Sequence, residues 1–95
     1  MNDDNKLKIL NNLLTFVLEL KSGAKTIDLN IGDIFEGLKQ LKENEETPLI
    51  KDMFTEYEKF IRLPLAEKHD KIFEVEESVL GILDHYKHIA ENRKN

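Results

Sequence analysis

The stretch KENEETPLIKDMF, Lys42 to Phe54, decides how the chain is read. Its first half is charged and has nothing to give a core. Its second half opens with Thr47 and Pro48, residue types suited to a helix N-cap and to the first helical position, where proline's missing N–H costs nothing. The spacing beyond predicts a helix from Pro48 to Ile61 with Leu49, Ile50, Met53, Phe54, Tyr57, Phe60 and Ile61 as its apolar stripe. A helix from Ile31 to Glu43 precedes the linker, capped by Asn30 with Asp33 three residues on. Its apolar residues Ile31, Ile34, Phe35, Leu38 and Leu41 occupy only about 120°. Gly37 flanks that stripe; glycine costs about 1 kcal/mol against alanine inside a helix, and the close approach of a neighbouring helix is what would justify it.

Two further helices lie outside this pair. The first runs from Asp3 to Lys21 and stops at Ser22–Gly23, a sequence suited to a left-handed C-terminal cap. Its apolar residues, among them Phe16 and Leu18, spread over about 200°, more than one neighbouring helix requires. The fragment AKTIDLN, residues 24–30, alternates like a strand but has no second strand to pair with, and reads as a loop or an extra helical turn. After Ile61, RLPL breaks the chain, because Pro64 disfavours helix at Leu63. The last helix follows from Pro64 to Ala90, with a bend or division expected near Ser78 and Gly81. Short connections favour antiparallel neighbours, so the expected fold is all-α, a single domain over residues 1–95 folded as an antiparallel four-helix bundle. The alternative is a three-helix core with a long protruding C-terminal helix, closed as a dimer.

The last helix contains the sharpest anomaly. With Ile72 at 0°, Val79 falls at about 340°, Leu83 at about 20° and Glu76 at about 40°, so a carboxylate stands in the apolar face. Burying it unpaired would cost several kcal/mol. It is therefore protonated, paired, at the edge of the core, or facing a partner; bonding to Tyr57 or to a lysine across the bundle is one structural solution. His69 and Lys87 both fall at about 60°, making this side of the helix a mixed apolar and polar strip. Together with the surplus arc of the first helix, these features mark Glu76, His69, Leu80, Leu83, Lys87, Phe16 and Leu18 as candidate partner-binding residues.

Composition narrows the functional classes. There is no cysteine, so disulfides, a thiol nucleophile and a thiolate zinc site are out of reach. The N-terminus lacks the plan of a signal peptide and no apolar run is long enough for a membrane span, so a cytoplasmic location without membrane insertion is expected. The net charge is −5, and the acids concentrate in residues 43–84, with twelve against five bases. That field repels a phosphate backbone, so nucleic-acid binding is not expected, and a helix-turn-helix reading of the middle helices fails on the same charge. His85, His88, Asp84 and Glu77 share one helix, without the second helix of ligands a metal centre would need, so no metal is expected. Ser22 and Ser78 lack a nucleophile context and no glycine-rich phosphate loop is present, so neither enzymatic activity nor a cofactor is expected.

The layout EGLKQLKENEETPLIKDMF followed by RLPLAEKHDKIFEVEESVLGIL resembles the small immunity proteins that protect bacteria against pediocin-type (class IIa) bacteriocins. The resemblance implies a cytosolic antiparallel four-helix bundle whose last helix and tail, here His85, Lys87, His88, Arg93 and Lys94, carry specificity. The expected function is that of a small acidic protein-binding module, an inhibitor, immunity factor or regulator of bacterial or phage type. Its partner would be another protein or a second copy of itself, the latter making it a self-assembling homodimeric subunit.

Overall fold

The computed structural model describes residues 1–23 and 31–94, so Asn30 and the AKTIDLN fragment lie outside the described residues. Four helices follow in order: α1 (Asp3–Lys21), α2 (Ile31–Asn44), α3 (Pro48–Ile61) and α4 (Leu65–Lys94). The Asn2 side chain caps α1 by accepting the Asn5 amide at 2.8 Å, with Asp3 and Asp4 in the first turn. The helix closes as its sequence predicts: Gly23 takes φ +78°, and its amide donates to the Leu20 carbonyl. Thr47 stands at the N-cap of α3 without a side-chain capping bond. Just before the helix, Glu45 fastens the turn by accepting the amides of Glu46 and Thr47 on one carboxylate oxygen, both at 3.1 Å.

The helices form an antiparallel bundle in which each packs against its neighbours in sequence and α1 closes the ring with α4. Asp3 meets Arg93 at 2.8 Å at one end, while Lys21 meets Glu76 farther along, so α1 and α4 run in opposite directions. Lys42 and Glu58 pair at 2.8 Å across α2 and α3. Leu10, Leu13 and Val17, Leu38 and Leu41, Phe54, and Val79 fill the shared core. Across the diagonal from α1 to α3, the rings of Phe16 and Phe60 meet edge to face, 6.4 Å between centroids at 83°. Phe16 is thus a core residue, and so is Leu83, at 1% and 3% exposure; neither is on offer to a partner. The wide arc of α1 has a plain cause: the helix touches both α2 and α4 and reaches α3 across the centre.

The fourth helix departs from its sequence reading. It is one unbroken helix of 30 residues, about 45 Å at 1.5 Å per residue, matching the 43 Å long axis of the molecule. Neither Ser78 nor Gly81 interrupts it. Ser78 is tied to the Tyr57 hydroxyl of α3 at 2.5 Å, and the buried Ile72, Val79, Ile82, Leu83 and Tyr86 hold the helix on both sides of Gly81.

The two helical glycines differ in what surrounds them. A Cβ on Gly37 would lie 2.9 Å from Cγ2 of Ile9 on α1, and a β-branched side chain turns aside poorly. A Cβ on Gly81 would meet nothing within 4 Å. Gly37→Ala should lower stability, because overpacking of about 1–3 kcal/mol exceeds the ~1 kcal/mol gain in helix propensity. Gly81→Ala should raise stability by about 1 kcal/mol. Urea midpoints of the two variants, moving in opposite directions, check both.

Candidate protein-binding surface

On α4 the degree of burial follows the angular order already set by sequence. Leu83, at about 20°, is in the core; Glu76, at about 40°, keeps its side chain 18% exposed; Leu80 and Phe73, at about 80° and 100°, are 48% and 67% exposed. Glu76 therefore stands at the waterline. Its carboxylate is met by the Lys21 ammonium, 3.1 Å from one oxygen and 3.3 Å from the other. Lys21 comes from the last turn of α1, where the helix dipole favours a cation. The same ammonium lies 5.3 Å from the centroid of the Phe73 ring.

One turn before Lys21, Leu18 is 45% exposed. Leu18 and Lys21 on α1, with Phe73, Glu76 and Leu80 on α4, line the side of the bundle where these two helices pack. The result is an apolar strip with one ion pair set into it. Along its outer border Asp70, Glu77 and Asp84 recur every seven residues on α4, all exposed, and make an acidic ridge. His88 approaches Asp84 to 3.8 Å on the open surface. His69 and Lys87 are exposed at the two ends of the strip.

Of the residues marked from sequence, Glu76, Leu80, Leu18, His69 and Lys87 thus lie on or beside one surface. Phe73 and Lys21 complete it. Phe73 was legible, because its position at about 100° puts it beyond the core-facing arc. Lys21 was not, since its role depends on the register between helices far apart in sequence.

A second polar feature lies toward the end of the bundle where Asp3 meets Arg93. The Tyr86 hydroxyl donates a short hydrogen bond to Glu45, joining α4 to the α2–α3 turn, and the Lys6 ammonium sits 5.4 Å from the centroid of the Tyr86 ring. Burial alone would raise the Glu45 carboxyl, but the bonds from Tyr86, Thr47 and Glu46 outweigh it and hold the group below the usual carboxylate value. Burial, then the bond to Glu45 and its negative charge, push the Tyr86 hydroxyl well above its ordinary value. This arrangement is structural, a clasp over the end of the core. Among the described residues no three His, Asp or Glu side chains converge as a metal site would need, and no helix is long and apolar enough to cross a membrane.

Compared with known proteins, the chain matches no protein family, no curated protein and no solved structure.

Proposed function

We propose that this protein is a cytoplasmic protein-binding module, an inhibitor, immunity factor or regulator of bacterial or phage type, that engages its target through the α1–α4 surface. The observation that carries the reading is Phe73: a large apolar ring, 67% exposed, beside Leu80 and Leu18 and against the Lys21–Glu76 pair. Aromatic rings of this kind dominate binding energetics when a partner covers them. The acidic ridge favours a partner whose apolar patch is edged with lysine or arginine. A second copy is the poorer fit, because each copy carries a net charge of −5.

The Glu76–Lys21 pair is partly solvated, and such pairs contribute about 0–1 kcal/mol to folding. Glu76→Leu should therefore leave the fold intact or slightly more stable while weakening association, and retention of full partner affinity would remove Glu76 from the interface. Phe73→Asp tests the surface as a whole. Circular dichroism and the melting temperature should hardly change, because the ring is outside the core. A basic protein retained by the wild-type chain from host extract at moderate salt should be lost by the variant. Identical retention by both forms, or a concentration-dependent dimer in light scattering that Phe73→Asp dissolves, would overturn the reading in favour of another surface or of self-assembly.

A further inference from the structure

On the opposite side of α4 from the partner strip, the helix parts from α3 and leaves a groove of about 440 Å³. Its walls are Met53, Phe60 and Leu63 from the α3 side and Val75 from α4, with the buried Tyr57 at its base. The volume falls in the range of small-molecule sites. Three observations define what would fit there. First, the lining is apolar and partly aromatic, with a methionine thioether free to adapt to the occupant's shape.

Second, the base carries a hydroxyl pair, Tyr57 with Ser78 at 2.5 Å. Two hydroxyls bring two hydrogens, and their mutual bond uses one; no hydrogen bond among the described residues takes the other, whichever of the two donates. Burial raises the Tyr57 hydroxyl above its ordinary value, so it remains a donor at neutral pH. Third, the rim carries Glu56, Lys59, Lys71 and Glu74. Glu56 and Lys59 answer each other at 3.4 Å. Lys71 has no ion-pair partner within 4 Å among the described residues, and on the helical wheel it lies at about 260°, in line with Ser78 at about 240°. Glu74 likewise has no ion-pair partner within 4 Å among the described residues, but at about 200° it stands farther round toward solvent than Lys71.

We propose that the α3–α4 groove binds a medium-chain monocarboxylate, its chain laid against Met53, Phe60, Leu63 and Val75 and its carboxylate held at Lys71. The free hydroxyl hydrogen of the Tyr57–Ser78 pair supplies a neutral donor deeper in the site, for an acceptor carried along the chain. A large macromolecular partner is disfavoured by the groove's short length, from Lys71 to Ser78 about 10 Å along α4. The site is independent of the partner strip and survives or fails apart from it.

The test is a titration of the ¹⁵N-labelled full chain with decanoate and decyltrimethylammonium, each below its micelle concentration, and with decanol below its solubility limit. Decanoate should give saturable amide shifts confined to residues 53–63 and 71–78, with at least fivefold tighter binding than decanol and no matching response to the cation. Lys71→Gln should bring decanoate down to the affinity of decanol, and Glu74→Gln should tighten decanoate by removing a like charge, while neither moves decanol. Both positions are exposed, so both variants should fold. Equal affinity for decanoate and decanol, shifts centred on Leu18, Phe73 and Leu80, or no saturable binding at millimolar ligand would overturn the proposal. Shifts in the groove produced only by an added partner protein would assign it to a macromolecule instead.

Discussion

Phe16→Ala is expected to lose about 3–5 kcal/mol, the usual result of emptying a buried aromatic site. For a domain of this size that is roughly a third or more of a total stability of about 5–10 kcal/mol. The ring is 1% exposed and meets Phe60 edge to face at 6.4 Å, so truncation opens a void in the middle of the bundle and removes the side-chain contact that bridges α1 and α3. Equilibrium urea unfolding followed by circular dichroism should show the midpoint falling in proportion. Had Phe16 belonged to a partner surface, as its place in a 200° apolar arc allowed, the same substitution would change stability by no more than about 0.5 kcal/mol. The experiment thus separates the two readings by a wide margin.

Tyr86→Phe is expected to cost about 1.5–3 kcal/mol, the range for a hydrogen bond to a charged group. The ring and its packing remain, but the Glu45 carboxylate loses the donor that joins it to α4 and keeps its bonds from Glu46 and Thr47. The pH dependence follows from the directions of the two shifts. Glu45 titrates lower in the folded chain than in the unfolded one, so its contribution is complete above the ordinary carboxylate range and is lost as pH falls through the folded value. Tyr86 titrates higher when folded, so the unfolded chain releases this proton first as pH rises past about 10, and stability then declines. Tyr57, also raised by burial, adds to the alkaline loss. Urea midpoints measured from pH 3 to 12 should form a plateau across the neutral range that falls at both ends. The alkaline slope should be shallower in Tyr86→Phe, and a slope unchanged by the substitution would show that Tyr86 does not drive it.

Much of the bundle was legible because its pieces are locally consistent. The helical spans of α1 and α3 follow from their apolar spacing and end signals, and Gly37 announced a close helix contact that Ile9 supplies. What escaped the sequence were quantities set by three-dimensional register. Ser78 and Gly81 are poor helix formers taken singly, yet α4 runs through them because Val79, Ile82 and Leu83 are anchored in the core around them. Glu76 was visible as an anomaly, but its partner Lys21 lies 55 residues away and depends on how α1 and α4 align. Glu45 read as one acid in a charged linker; only the approach of Tyr86 reveals it as the residue that fastens the turn.

The closure of the bundle by α1 and α4 also has a consequence in time. Among the described residues the most extensive helix–helix seam joins α1 to α4, two segments made far apart in time. A ribosome adding about 5–20 residues per second needs about 4–15 s to travel from the end of α1 to the end of α4. Throughout that interval Leu10, Leu13 and Val17 are without their main cover, while α2 and α3 form a local hairpin that can shield only part of them. The emerging chain therefore passes through a stage in which the apolar face of α1 lacks its main cover, and the arrival of α4 withdraws that hazard.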